Sequence, residues 1–157
     1  MILGMGTDLC MISRIEKSVE RFGDRFLKRV FTEAERAYAD RFKGVARMGS
    51  YAKRWAAKEA CVKALGTGFA NGVMLQDIGV FNGLGGAPEL RLSGGAKEAL
   101  QRLTPPGQVA QILVSMSDDP PFALAQVIIQ SIPLAVVQSA SQPFVRIEPL
   151  ANAVKLR

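Results

Sequence analysis

The stretch Trp55-Ala56-Ala57-Lys58-Glu59-Ala60-Cys61-Val62-Lys63 gives the clearest indication of the fold. It is rich in residues that favour a helix, and Gly66 just after it is a typical C-terminal stop, so we predict a helix over about residues 49–65. On this helix Glu59 is the single acid among three bases, Arg54, Lys58 and Lys63. One acid surrounded by bases suggests a site for a divalent metal and a polyphosphate.

The residues around Glu59 also have a simpler interpretation. Glu59 and Lys63 are four residues apart, and such a pair on a helix surface contributes only about 0.3–0.5 kcal/mol. Trp55 lies one turn before Glu59 and indicates partial burial, in which case the charges need partners such as a metal or a phosphate. Local sequence leaves both possibilities open, and Trp55 itself suits a core anchor as well as a ligand contact.

A second isolated acid, Asp8, ends the segment Gly4-Met5-Gly6-Thr7-Asp8. Residues 2–7 predict a short buried strand that ends in a turn, where the two glycines would let the backbone approach a ligand closely. The alternative is that Asp8 forms an Asx-turn or caps the first helix.

The composition narrows the possible chemistry. The chain has 157 residues, 48% hydrophobic and 22% charged, as expected for one globular domain. It contains no histidine, which excludes nucleophilic pairs that need histidine and histidine-rich zinc sites. Any bound metal would then be held by oxygen ligands, which favours magnesium or manganese. We expect a cytoplasmic protein, because the sequence shows neither a membrane-spanning apolar run nor the start of a signal peptide.

Positive charge is concentrated in one half of the chain. Of the 20 Lys and Arg residues, 14 lie between Arg14 and Lys63, against 7 acids there. The first predicted helix, opened by a capping box at Ser13–Glu16, carries much of this charge beside two aromatic residues: Arg14, Arg21, Phe22, Arg25 and Phe26. This face is either a docking surface for an anionic partner or a solvated face with aromatics packed on the sheet. Gly23 lowers the expectation that the helix is continuous.

The remaining pattern predicts an α+β domain with helices packed on an antiparallel sheet. A capping box at Thr32–Glu35 opens a second helix to about Phe42, and a further helix covers residues 95–103. The predicted strands are residues 77–82 and 89–92, around a glycine turn at Gly83–Gly86, and residues 111–117 and 122–130, joined as a hairpin. That glycine turn suits a hairpin better than a phosphate cradle. Residues 131–157 show no clear period and are interpreted as an extension, either disordered or packed on a neighbouring subunit.

These segments, in this order, resemble the 4′-phosphopantetheinyl transferases, in particular the small trimeric bacterial holo-[acyl-carrier-protein] synthase type. The resemblance covers roughly residues 1–130 and rests on Gly6-Thr7-Asp8, on Trp55 through Lys63, and on flanking matches. The flanking matches are residues 25–35, 63–68, 77–80 and 114–118. The resemblance implies that residues 1–130 adopt the phosphopantetheinyl transferase-like fold.

The resemblance also implies an activity and its residues. The enzyme would transfer 4′-phosphopantetheine from coenzyme A to a serine of apo acyl carrier protein, releasing adenosine 3′,5′-bisphosphate and serving fatty acid synthesis. Asp8 and Glu59 would hold Mg²⁺, Lys63 would join them in catalysis, and a metal-bound water is the preferred base. Coenzyme A would meet six residues, Arg54, Lys58, Lys63, Gly66, Thr67 and Gly68.

The same resemblance implies the macromolecular partners. An acidic carrier protein would dock on Arg14, Arg21, Phe22, Arg25 and Phe26. The active protein would be a homotrimer with sites between subunits, acting without nucleic acid or membrane. Two other functions remain as alternatives, a basic nucleic-acid-binding module and another magnesium-dependent nucleotide enzyme.

Overall fold

The computed structural model describes residues 1–70 and 72–139, which form five strands, six α-helices and two short 3₁₀-helices. The strands are β1 Ile2–Met11, β2 Ile78–Asn82, β3 Pro88–Leu92, β4 Gln108–Asp119 and β5 Phe122–Pro133. The helices are α1 Ile12–Phe22, α2 Asp24–Val30, α3 Glu33–Ala39, α4 Gly44–Leu65, α5 Gly94–Leu103 and α6 Leu134–Ser139. The predicted α+β class is confirmed.

The main sheet contains β1, β5 and β4 in that order, all antiparallel. β4 and β5 form the predicted hairpin, but each is longer than expected, with pairing from Gln108–Pro133 to Asp119–Phe122. The sequence pattern predicts that β1 ends before a turn at Asp8. Instead β1 continues to Met11, because its pairing with β5 runs on to Phe122 and gives hydrogen-bond partners to the backbone groups that face β5.

The two faces of this sheet differ. On the inner face the side chains are small or aliphatic and buried, and they face α4: Gly6, Cys10, Ala123, Ala125, Val127 and Ile129. The outer face carries exposed apolar side chains, so it is not covered by any described part of this chain. We call it the outer sheet face, and its most prominent residues are Met5, Leu9, Leu113, Phe122 and Leu124.

Helix α4 lies against the sheet with its backbone almost touching β1. A Cβ atom added to Gly6 would lie 2.0 Å from the carbonyl oxygen of Ala60, and one added to Gly4 would lie 2.0 Å from that of Ala64. Only glycine fits at these two positions. α4 is five residues longer than predicted at its N-terminus, and Gly66 ends it in the left-handed conformation (φ 72°), as expected for a helix stop.

The N-terminal helices follow the predicted pattern with two changes. Gly23 (φ 54°) divides the first predicted helix into α1 and α2. The capping box expected at Ser13 is wrong, because α1 begins at Ile12, directly after β1, and no side chain caps it. The capping box at Thr32 and Glu35 is confirmed at the start of α3, which is shorter than predicted.

A second sheet, β2 with β3, packs beside α4 and α3, and the glycine-rich segment between its strands is the predicted hairpin connection. At the C-terminus β5 includes residues 131–133, and the backbone N–H of Ser131 donates to Met1. Residues 140–157, most of the predicted extension, lie outside the described residues. Within the described part of the chain, no helix is long and apolar enough to cross a membrane.

Candidate active site

Asp8 lies on the inner face of the main sheet, near one end of α4. It pairs with Ala125 of β5, and strand alternation puts its side chain on the same face as Gly6 and Cys10. Its side chain is only 16% exposed. Because Asp8 sits within a continuous strand, the Asx-turn and helix-cap interpretation is wrong. The fold instead directs this carboxylate towards the helix that carries Glu59.

Lys63 joins Asp8 rather than Glu59. Its Nζ atom lies 2.8 Å from Oδ1 of Asp8 and also donates to the Thr7 carbonyl oxygen at 2.9 Å. Among the described residues no ion pair links Lys63 to Glu59, so the expected surface pair on the helix is wrong. The Lys63 side chain remains half exposed, which leaves its ammonium group accessible to a ligand.

Glu59 projects from α4 into the same region. Burial raises the pKa of its carboxyl group, and the negative charge of Asp8 raises it further, while Lys63 and Arg14 oppose the shift. Two acids are therefore brought close enough to repel each other, with two basic groups beside them. This combination is unfavourable for the protein alone and favourable for a bound cation, since a cation between the acids relieves the repulsion.

The donor set suits magnesium better than a metal that needs a protein cage. No cluster of three or more Cys, Asp or Glu side chains that could hold a metal occurs in the described residues. Mg²⁺ typically binds through one or two carboxylates, substrate phosphates and waters. Asp8 and Glu59 fit that requirement, and Lys63 adds a positive charge beside Asp8.

Lys58 does not join this site, and its expected role as a coenzyme A contact does not fit the structure. Its side chain is fully buried and forms an ion pair with Glu35, 2.9 Å away. Its other two hydrogen bonds go to the carbonyl oxygens of Leu75 and Ile78. The ammonium group has no free donor for a phosphate, because all three of its donors are used. Lys58 faces the interior although Glu59 is its neighbour, since successive helix residues point about 100° apart.

Arg54 is also buried, at 1% exposure, and the expectation of a direct phosphate contact does not fit it either. Its guanidinium donates to Ser50 and to Asn82, and it lies 4.2 Å from the ring centre of Tyr38. These contacts tie α4 to β2 and α3. Arg54 thus stands with Lys58 on the interior side of α4, away from Asp8.

The segment Gly66-Thr67-Gly68 follows α4 directly, one turn after Lys63. Gly66 and Gly68 both have positive φ (72° and 61°). Glycine adopts this backbone conformation without steric cost, and it makes the chain turn sharply here. The Thr67 hydroxyl is buried, and no described residue forms a hydrogen bond with it. An unpaired buried hydroxyl is a ready donor or acceptor for a ligand.

A pocket of about 270 Å³ is lined by residues close in sequence to the two acids, with Cys10 two residues after Asp8 and Trp55 one helical turn before Glu59. Trp55 and Phe26 form one wall, with their rings stacked at 6.3 Å. Its other lining residues are Cys10, Arg14, Ile15, Lys17 and Ser18. The interpretation of Trp55 as a partly buried anchor is borne out, and the residue additionally borders this pocket. Sequence reasoning missed Cys10, although its position two residues after Asp8 places it on the same strand face.

A second pocket, of about 300 Å³ and mainly apolar, lies on the basic face. Its lining residues are Phe22, Arg25, Phe26 and Arg29. Arg29, which the sequence interpretation omitted, lies one helical turn after Arg25, and that spacing could have identified it. We call this the basic–aromatic pocket. Arg14 lies apart from it, since it borders the first pocket and its charge acts on Glu59.

Comparison with known proteins supports the family expected from the sequence. A family model described as the 4′-phosphopantetheinyl transferase superfamily matches residues 4–115. A protein named holo-[acyl-carrier-protein] synthase from Gluconobacter oxydans (strain 621H) is 88% identical over 157 residues, all of both chains. Another of that name, from Granulibacter bethesdensis, is 59% identical over 134 residues, covering 85% of this chain and 92% of the relative.

Solved structures agree with the fold. The crystal structure of holo-[acyl-carrier-protein] synthase from Neisseria meningitidis matches with a TM-score of 0.72 and 32% identity, covering 83% of this chain and 99% of that one. The Helicobacter pylori enzyme, solved in complex with coenzyme A, matches with a TM-score of 0.68 and 32% identity, covering 80% and 99%. The phosphopantetheinyl transferase fold predicted from the sequence is confirmed, and this chain belongs to the 4′-phosphopantetheinyl transferase superfamily.

Proposed function

We propose that the chain, which transfers 4′-phosphopantetheine from coenzyme A to a serine of apo acyl carrier protein, does so through a magnesium site formed by Asp8 and Glu59. The observation that carries this proposal is the convergence of two acids and Lys63 from elements far apart in sequence. Lys63 bridges α4 to β1 at 2.8 Å, and Asp8 raises the pKa of Glu59 across the same gap.

Each residue has a physical role in this reaction. Mg²⁺, held by the two carboxylates, would neutralise the charge that develops on the pyrophosphate as its phosphoanhydride bond breaks. Asp8 is held by a strand and Glu59 by a helix, so their relative position does not depend on a loop. Lys63 adds a positive charge that is half exposed and able to contact phosphate oxygens.

The coenzyme A nucleotide is best accommodated beside Gly66-Thr67-Gly68. This segment begins one turn after Lys63, and its glycines leave backbone groups unshielded by side chains. The buried, unpaired Thr67 hydroxyl offers a hydrogen bond to a group that enters there. Lys58 and Arg54 are left out of this proposal because the Lys58 ammonium and the two terminal nitrogens of Arg54 are engaged in the interior.

The basic–aromatic pocket is the docking site for the carrier protein. An acidic helix would place an apolar side chain between Phe22 and Phe26, with its carboxylates near Arg25 and Arg29. Arg21 lies over the Phe22 ring at 5.0 Å and extends the positive charge. Arg14, beside the acids, would meet the substrate near the reacting serine.

The outer sheet face supports assembly into the homotrimer that the resemblance implies. Its five residues are between 41% and 62% exposed and lie on adjacent paired strands, as two apolar groups with the polar row Thr7, Gln126 and Ser115 between them. Surfaces of this kind in water-soluble proteins typically mark an interface. Association of three copies through this face would bury it in a cytoplasmic enzyme that serves fatty acid synthesis.

The proposal is tested by incubating the protein with apo acyl carrier protein, coenzyme A and Mg²⁺ and weighing the carrier. We expect the carrier to gain one phosphopantetheine group, and we expect Asp8→Asn and Glu59→Gln each to lose turnover together with Mn²⁺ binding measured by electron paramagnetic resonance. Full turnover and unchanged Mn²⁺ binding in both variants would refute the metal site. Salt-sensitive nucleic-acid binding without transfer, or nucleotide breakdown alone, would refute the transferase activity itself.

A further inference from the structure

The buried ion pair between Lys58 and Glu35 links three elements of the interior. Both side chains have no exposed surface, and Nζ of Lys58 lies 2.9 Å from Oε2 of Glu35. Lys58 comes from α4 and Glu35 from the first turn of α3. Lys58 also donates to Leu75 and Ile78, so the pair holds α4 against the segment that leads into β2.

Every donor of the Lys58 ammonium is used, and both oxygens of Glu35 accept hydrogen bonds. The three donors of the Lys58 ammonium go to one carboxylate and two carbonyl oxygens. Oε2 of Glu35 also accepts from the backbone of Thr32 at 2.7 Å, and Oε1 accepts from the backbone of Val80 at 3.2 Å. Such a pair has a defined geometry, because any displacement breaks several charged hydrogen bonds at once.

Helix α4 needs such a fixed point. Alanine is the commonest of the fourteen buried residues of α4, at Ala52, Ala56, Ala57, Ala60 and Ala64. Alanines let α4 approach β1 closely, but they interlock weakly with neighbouring side chains and resist rotation of the helix less than large residues would. In some proteins a buried polar pair selects one packing arrangement where apolar contacts allow several.

Glu59 follows Lys58 directly, so any rotation of α4 moves its carboxylate. At the outer radius of a helix, about 5–6 Å, a rotation of about 10° displaces a group by about 1 Å. A displacement of about 1 Å at a reacting centre costs about 100-fold in rate. The position of Glu59 relative to Asp8 therefore depends on what fixes the rotation of α4.

We propose that Lys58 and Glu35 are positioning residues, whose buried ion pair fixes the rotation of α4 and so aims Glu59 at Asp8. This inference rests on the metal site proposed above. Neither residue touches the substrate. Their role resembles that of the residues behind a metal ligand, whose loss typically lowers metal affinity or activity about 10- to 100-fold.

The test compares two variants that each remove one buried methylene group. Glu35→Asp shortens the anchor, whereas Ile129→Val trims a buried side chain on β5 and leaves the ion pair intact. We expect Glu35→Asp to lower kcat and Mn²⁺ affinity, measured by electron paramagnetic resonance, each by about tenfold or more. We expect Ile129→Val to keep both values, even where its melting temperature falls equally.

A double variant covers the case in which Glu35→Asp does not fold. Lys58→Met with Glu35→Gln removes both charges and keeps an oxygen for one backbone amide, and we expect it to fold with the same loss of Mn²⁺ affinity. The positioning role would be overturned if Glu35→Asp or the double variant folds and has the same Mn²⁺ affinity and turnover as Ile129→Val. Glu59→Gln serves as the reference: if it binds Mn²⁺ normally, the proposed metal site itself is wrong.

Discussion

Substitution of Gly6 by alanine tests the geometry of the site without altering any of its functional groups. The new Cβ atom would lie 2.0 Å from the Ala60 carbonyl oxygen and 2.8 Å from the Ala64 nitrogen, both backbone atoms of α4. Ordinary contact begins at 3.4 Å. Because backbone atoms cannot rotate away as a side chain can, α4 and β1 must separate by roughly 1 Å or more.

The separation acts on stability and on catalysis to different extents. Overpacking of this kind typically costs about 1–3 kcal/mol, and each kcal/mol lowers the melting temperature by about 2–4 °C in a chain of this size. Because Asp8 is on β1 and Glu59 on α4, the gap between the two acids changes by a similar distance. A change of about 1 Å or more predicts a loss of about 100-fold in kcat.

The assay follows carrier mass under saturating coenzyme A and carrier, with Mg²⁺ titrated, alongside a thermal melt. Gly107→Ala is the matched control, because Gly107 has φ 74° and open space around its Cβ position. It should lose stability, by roughly 1–2 kcal/mol from backbone strain, without moving α4. Normal turnover and metal affinity in Gly6→Ala would refute the argument that backbone contact sets the spacing of the acids.

Three further outcomes are expected. Glu59→Gln should raise the melting temperature of the metal-free protein at pH 7, because the fold raises the pKa of Glu59 and the ionised carboxylate therefore opposes folding at that pH. The gain in melting temperature should vanish below the ordinary glutamate pKa, where the carboxyl group is neutral in both states. A gain that persists at pH 3.5 would contradict this cause. Arg25→Glu should weaken carrier binding and flatten its salt dependence while kcat at saturating carrier is kept. Arg91→Glu, at an exposed arginine outside the pocket, is the control and should leave carrier binding unchanged. An unchanged salt slope in Arg25→Glu would exclude a docking role. Leu124→Asp should yield a smaller particle in light scattering, and an unchanged mass would remove the outer sheet face as the interface.

Most of the fold follows from local sequence signals. The alanine-rich segment ending in Gly66 predicts α4, and alternating residues on either side of a proline-containing turn predict the hairpin of β4 and β5. The full length of β1 could not be predicted, because its partner β5 is remote in sequence and the pairing alone extends the strand through Asp8.

The site was only partly predictable for a related reason. The sequence draws attention to the two acids, but it does not predict the partner of Lys63, since local spacing favours Glu59 and the fold places Asp8 beside Lys63 instead. The burial of Lys58 was also missed. α4 itself has alanines on several of its sides, so its sequence lacks the clear apolar stripe that would reveal which basic residues face inwards.

The alternation of β1 places a strict limit on how the length of this strand can vary. Asp8 faces α4, while its neighbour Leu9 belongs to the outer sheet face. Insertion or deletion of a single residue between Gly6 and Asp8 would exchange these faces, turning the carboxylate outwards and a leucine towards the site. Natural variation between Gly6 and Asp8 should therefore consist of substitutions, with length changes confined to the start of the strand before Gly4, where the register already shifts.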